Sequence, residues 1–144
     1  MEIHQSAVIL LLVVCVSFST HAQPDGYEKF LKQHVFGAMT VQKCDSEIRI
    51  RGIVRPQTTN GCKETNTFIL ANKKYVRAVC GKAGTALGDD KFMSNNPFPV
   101  VICKKNSGDT HPHCKYRGVR STRKIVVSCE DGWPTHYAED VINV

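Results

Sequence analysis

The chain has 144 residues, of which 42% are hydrophobic and 22% charged, with 19 Lys and Arg against 13 Asp and Glu for a formal charge of +6. Such a length favours one domain with a modest core, and no internal repeat, low-complexity tract or second domain boundary interrupts it. The basic excess favours polyanionic partners, whether RNA, heparin-like glycans or anionic bacterial surfaces, without choosing among them.

Residues 1–22 read as a secretory signal peptide: the apolar run from Ala7 to Val16 is followed by Ser and Thr and by a cleavage-like Thr20-His21-Ala22. The run is too short to span a bilayer, which needs roughly 20 apolar residues. Residues 23–144 are then a single secreted, extracellular domain. Cleavage removes Glu2 but no Lys or Arg, leaving 19 basic against 12 acidic residues, a balance of +7. Cys15 leaves with the leader, and Cys44, Cys62, Cys80, Cys103, Cys114 and Cys129 remain as an even set for an oxidising compartment. Their pairing stays open at this point, since six cysteines permit many connectivities. No CxxC pair is present, and His111-Pro112-His113-Cys114 is the sole Cys/His cluster, so neither a metal nor a cofactor is expected. His111 and His113 read as exposed loop residues.

Tyr27, Phe30, Leu31 and His34 follow helical i, i+3, i+4, i+7 spacing, with Asp25 as the expected cap. A second helix is expected within 40–52, around Cys44, with Ile48 inward. Arg55 to Gly61 reads as a loop ending in an Asn-Gly turn signal. Thr65 to Leu70 suits a strand, and Asn72 to Cys80 a third helix stopped by Gly81. Gly81 to Pro99, with its Gly, Asp-Asp and Asn-Asn-Pro signals, is expected to be an irregular surface segment. Further strands are expected at Phe98 to Cys103, Lys115 to Val119, Ile125 to Cys129 and Thr135 to Val144. Early helices and later strands, without βαβ alternation, indicate an α+β fold on an antiparallel sheet.

The segment Cys62-Lys63-Glu64-Thr65-Asn66-Thr67-Phe68 resembles the CKxxNTF signature of the pancreatic-type ribonuclease family, and Lys29-Phe30-Leu31-Lys32-Gln33-His34 resembles its KFxxQH segment. His136-Tyr137, seven residues after Cys129, completes the set, and the cysteine spacing is similar to that of angiogenin and other six-cysteine members. The resemblance implies a ribonuclease A-like fold, a bent antiparallel sheet with three helices and the disulfides Cys44–Cys103, Cys62–Cys114 and Cys80–Cys129. It also implies an activity, cleavage of RNA on the 3′ side of pyrimidines through a 2′,3′-cyclic phosphate. Such chemistry needs a base for the 2′-OH proton, an acid for the departing 5′-oxygen and positive charge on the phosphorane, all within reach of two imidazoles and a lysine. The implied catalytic residues are His34 as base, His136 as acid and Lys63 as the stabilising cation. Gln33 and the backbone N–H of Tyr137 are implied at the scissile phosphate and Lys29 at a neighbouring one. Asn66 belongs to the signature's substrate-binding set, Thr67 is implied in pyrimidine recognition and Glu130 at the base after the cut.

Two positions depart from the family pattern. Ala138 stands where members commonly carry an Asp that orients the second histidine. Glu139 stands where angiogenin has a glutamine that obstructs its pyrimidine pocket, so slow turnover is expected. Arg49-Ile50-Arg51-Gly52-Ile53-Val54-Arg55 loosely resembles the basic stretch that angiogenins use for nuclear entry after uptake. Angiogenic activity through a cell-surface receptor and an antibacterial role are further expectations, with the protein a monomer. The competing function is a cationic cell-binding or bactericidal effector whose ribonuclease site is vestigial.

Overall fold

The computed structural model describes residues 22–140. The expected leader, apart from Ala22, and the end of the last expected strand, 141–144, lie outside the described residues. Helix α1 (Asp25–His34) opens the fold. A 3-10 turn (Val41–Lys43) leads into α2 (Cys44–Ile50), and α3 (Lys73–Arg77) continues as a 3-10 turn through Cys80. The strands are β1 (Thr65–Ile69), β2 (Gly84–Gly88), β3 (Lys91–Ser94), β4 (Phe98–Ser107), β5 (Lys115–Arg123), β6 (Val126–Glu130) and β7 (Trp133–Tyr137). They form two antiparallel sheets, ordered β1-β4-β5 and β2-β3-β6-β7. The α+β class with an antiparallel ladder is therefore as expected. Among the described residues no helix is long and apolar enough to cross a membrane.

Side-chain alternation along β1 explains how one strand serves two cores. Phe68 pairs with Val101 and joins Met39, Ile48, Ile53 and Tyr116 beneath α2, whereas Ile69 pairs with Val100 and joins Phe30, Val76, Val79, Ile125 and Val127 beneath α1 and α3. Helix α1 buries Tyr27, Phe30 and His34 on one face, as its spacing predicts. Against β7, Tyr27 packs on Trp133 with ring centroids 4.7 Å apart, and His34 stacks on Tyr137 at 5.3 Å. A Cβ at Gly26 would lie 3.2 Å from Thr135, so the helix start approaches β7 as closely as a glycine permits.

Helix α2 ends in a Schellman motif: Ile53 N–H donates to Ile48 O and Gly52 N–H to Arg49 O, with Gly52 at φ 63° supplying the left-handed residue. Three disulfides cross-link the fold: Cys44–Cys103 and Cys80–Cys129 each tie a helical segment to a strand, and Cys62–Cys114 joins two loops. Their sequence separations of 59, 52 and 49 residues close long loops, each worth on the order of 3 to 4 kcal/mol by constraint of the unfolded chain.

Three expectations are corrected. Asp25 is the first helical residue rather than the cap; Pro24 holds the cap position without a side-chain hydrogen bond, and Asp25 and Glu28 instead place negative charge in the first turn. Residues 81–99 are not irregular, because β2 and β3 form a hairpin there, turning through Asp89 and Asp90 at φ 51° and 62°. Four of the five residues of β2 are exposed, so no apolar alternation marks it in the sequence. The last strand ends at Tyr137 rather than running on: Ala138 N–H makes one more bond to Val126 O, and Glu139 then turns inward.

Candidate active site

One groove, with a cavity volume of about 970 Å³, is lined by Lys29, Gln33 and His34 of α1, by Lys63, and by His136, Tyr137 and Glu139. His34 ends α1 and is 4% exposed. Its Nδ1 lies 2.8 Å from the carbonyl oxygen of Thr67, which only accepts, so Nδ1 carries the proton and Nε2 the lone pair. Burial first, and then the Lys63 ammonium, lower the His34 pKa from 6.5 to about 3, and the imidazole is neutral. A neutral ring whose Nδ1–H is committed to Thr67 makes no ion pair with Glu139, although Nδ1 and Oε2 are 3.9 Å apart.

Lys63 is fixed from three directions. The Cys62–Cys114 bridge anchors the preceding residue, and the Tyr116 hydroxyl donates to Lys63 O at 2.7 Å. The ammonium donates to Asn66 Oδ1 at 2.8 Å, while the Asn66 amide donates to Gln33 O at 2.9 Å, so Asn66 ties the lysine to α1. Burial lowers the pKa of Lys63, opposed by Glu139, whose Oε2 is 3.5 Å from Nζ.

His136 is exposed on β7, its Nδ1 2.8 Å from Thr135 O. A backbone carbonyl thus holds this ring where Ala138 offers no carboxylate, and the same tautomer rule leaves Nε2 free to exchange a proton. Among the described residues no group of three or more His, Cys, Asp and Glu side chains is arranged to hold a metal ion.

Thr67 is occupied from within the chain. Its hydroxyl donates to Glu139 Oε1 at 2.6 Å and its backbone N–H to Glu139 Oε2 at 3.0 Å. One carboxylate thus takes both donors expected to read a pyrimidine. Burial raises the Glu139 pKa above 4.5, with Lys63 and then Thr67 opposing that rise. Asn66 and Thr67 lie behind this latch and are buried, and neither lines the open groove. Glu130 is exposed at the end of β6, outside the groove lining, and His111 and His113 also lie apart from it.

Among the groove residues given no part in catalysis or substrate binding from sequence are Lys32, Arg51, Arg55 and Thr58. Lys32 was accessible to sequence reasoning, standing three residues after Lys29 and so one helical turn along. Arg51 was not. Its guanidinium donates to Lys32 O at 3.0 Å, Val35 O at 3.2 Å and Glu47 Oε1 at 3.2 Å, and lies over the rings of Phe36 and Phe68. Arg51 thereby caps the carbonyl end of the helix that carries His34.

The sequence model for pancreatic ribonuclease matches residues 25–138. The chain belongs to the pancreatic ribonuclease family. Ribonuclease-like 3 of Danio rerio is 52% identical over 99% of each chain, and Angiogenin-4 of Mus musculus is 37% identical over 94% of this chain and 93% of that protein. The solved structure of RNASE ZF-1A superimposes with a TM-score of 0.80 at 53% identity, covering 85% of this chain and all of that one. Green turtle egg white ribonuclease gives 0.71 at 32% identity, over 82% of this chain and 100% of its own. Membership in the pancreatic ribonuclease family makes RNA the substrate and RNA cleavage the general activity.

Proposed function

We propose that the protein is a secreted, metal-independent endoribonuclease that cleaves RNA on the 3′ side of pyrimidines, and that Glu139 restrains it. In the first step His34 Nε2 takes the 2′-OH proton, the 2′-oxygen attacks phosphorus, and His136 gives a proton to the 5′-oxygen as that bond breaks. Lys63 carries the positive charge that meets the crowded phosphorane, with Gln33 and the Tyr137 backbone N–H at the same phosphate. In the second step the roles exchange: His136 takes a proton from water, hydroxide opens the 2′,3′-cyclic phosphate, and His34 returns a proton to the 2′-oxygen. The scissile phosphate brings negative charge beside His34, which raises its basicity from the low value of the empty groove. Lys29 holds an adjacent phosphate.

What carries this reading is that His34, Lys63 and His136 line one groove, with the His34 tautomer leaving Nε2 unprotonated. The test is product identity. Cleavage of cytidylyl-adenosine followed by phosphorus NMR is expected to show the cyclic phosphate accumulating before its hydrolysis, with the 2′-deoxy analogue inert. A product carrying a 5′-phosphate, or cleavage of the deoxy analogue, contradicts the mechanism.

A second reading has its own observation. On β4 and β5, Lys104 and Arg117 face each other across the ladder, both exposed and without a carboxylate among the described residues. Like charges set opposite cost stability, so this surface favours a polyanion such as a heparin-like glycan or an anionic bacterial surface, the cationic-effector function. Vesicle leakage that persists in His136→Ala and fails in Lys104→Ala with Arg117→Ala supports it; equal leakage by both variants counts against that patch. Angiogenic action through a receptor and nuclear entry after uptake belong to the same reading. For nuclear entry, Arg49 and Arg55 are the exposed arginines, since Arg51 is engaged.

A further inference from the structure

The loop from Arg55 ends in Asn60-Gly61, the sole Asn-Gly step in the sequence. Such a step carries its own chemistry. The main-chain nitrogen of the glycine attacks the carbonyl carbon of the asparagine side chain, ammonia leaves, and water opens the resulting succinimide to aspartate or isoaspartate. Glycine permits the attack because it has no Cβ to hinder the approach. Asn60 is exposed to the water this reaction needs, whereas Asn66, in the nearby signature, is buried and precedes Thr67.

The fold restrains the attacking nitrogen. Gly61 N–H donates to the Thr58 hydroxyl at 3.1 Å, and that hydroxyl is oriented to accept because its own proton goes to Arg55 O at 2.7 Å. Both flanking carbonyls are engaged as well: Asn60 O accepts from His111 N–H at 2.7 Å and Gly61 O from Arg55 N–H at 2.8 Å. Cys62 N–H donates to Asp109 O at 3.1 Å. Gly61 is buried, and a Cβ there would lie 2.9 Å from both Thr58 Oγ1 and Arg55 Nη2. Succinimide closure must first open this frame, and each hydrogen bond lost in the opening slows it roughly fivefold. The product matters to the site because isoaspartate at position 60 lengthens the main chain by a methylene. That throws the Gly61–Thr110 bridge out of register, directly before Cys62 and Lys63.

We infer that Asn60-Gly61 is a deamidation site held closed by the Thr58 hydroxyl, and that isoaspartate formed there slows the ribonuclease by loosening the seat of Lys63. The second half rests on Lys63 serving as the stabilising cation; the first half is independent of any activity.

Mass spectrometry of the peptide containing residue 60, with isoaspartate-specific methylation, follows the conversion at neutral pH. The full oxidised protein is compared with its reduced, alkylated chain, with Thr58→Val and Thr58→Ala, which lack the acceptor, and with Thr58→Ser, which keeps it. Ile125→Val weakens the core beneath α1 and α3 without touching the loop, and so controls for general loss of stability. The oxidised protein is expected to convert at least about 50-fold more slowly than the reduced chain, and Thr58→Val and Thr58→Ala about 5- to 10-fold faster than the oxidised parent. Thr58→Ser and Ile125→Val should stay within about threefold of the parent. Conversion of both acceptor-less variants at the parent's rate, equal acceleration by Ile125→Val, or equal rates in the oxidised and reduced chains overturns the guarded site. The isoaspartate form, separated by ion exchange, should cleave cytidylyl-adenosine at least about fivefold more slowly than the unaltered protein. Asn60→Asp, which adds the charge without the methylene, should stay within about twofold. Equal cleavage by the isoaspartate and unaltered forms overturns the link to Lys63. Failure of the catalytic proposal appears separately, as absence of cleavage by the unaltered protein.

Discussion

Replacing Glu139 by alanine should make this ribonuclease faster. The carboxylate accepts from the Thr67 hydroxyl at 2.6 Å and from Thr67 N–H at 3.0 Å, and its side chain is 20% exposed. A pyrimidine read by Thr67 must first displace it. Hydrogen bonds to a charged acceptor contribute about 1.5 to 3 kcal/mol each, so the two together hold the latch with about 3 to 6 kcal/mol. Against this stand the burial of a carboxylate, visible in its raised pKa, and about 1.5 to 2 kcal/mol for ordering the side chain. A net latch of about 1.5 to 3 kcal/mol corresponds to roughly 10- to 150-fold in kcat/KM. Glu139→Gln keeps two neutral bonds to Thr67 and should gain only a few-fold. The difference between Glu139→Ala and the unaltered protein should also shrink as pH falls through the raised Glu139 pKa, because the protonated carboxyl loses its pairing with Lys63 and one acceptor. Initial rates on cytidylyl-adenosine across a pH series provide the assay. A Glu139→Ala protein no faster than its parent refutes the latch.

Three other perturbations follow from the same geometry. His34 has a folded pKa of about 3 against 6.5 unfolded, so its contribution to stability is complete above pH 6.5 and lost as pH falls towards 3, about 5 kcal/mol over the window; urea unfolding of His34→Asn should show a correspondingly shallower acid limb. Arg51→Ala removes two hydrogen bonds to carbonyls at the end of α1, one to Glu47 of α2 and the stacking on Phe36, and should cost about 2 kcal/mol, a fall of about 6 to 10 °C in Tm by calorimetry; an unchanged Tm contradicts the capping role. Ala138→Asp adds a carboxylate near an imidazole already held by Thr135 O and should raise kcat/KM no more than about tenfold; a rise of several hundredfold would mean that the backbone carbonyl does not orient the ring.

The residues with strong local signals were the legible ones. Tyr27, Phe30 and His34 at helical spacing announced the buried face of α1, β1 was marked by its Thr, Phe and Ile, and β4 by the apolar run at its start. The β2–β3 hairpin was not legible because β2 is solvated on nearly every residue, and its Gly84, Gly88 and Asp89-Asp90 give turn signals where an apolar alternation would mark a strand. At the site, the identities of His34, Lys63 and His136 were available from short motifs. Their electrostatics were not, because the neutral state of His34 comes from burial and from Lys63, 29 positions along the chain. Glu139 showed the same limit. Its position raised the possibility of obstruction, but the two bonds to Thr67 span 72 residues and exist only in the folded chain. Arg51 looked like part of a basic surface stretch and proved to be committed to backbone carbonyls of α1.

The most direct test of the proposed chemistry is cleavage of tRNA and a short pyrimidine-containing RNA in EDTA by the oxidised protein, beside His136→Ala prepared identically. If His34, Lys63 and His136 perform metal-free transphosphorylation, the unaltered protein cleaves both RNAs and His136→Ala loses the activity by at least about a hundredfold. Cleavage that needs a metal, or that survives intact in His136→Ala, contradicts it.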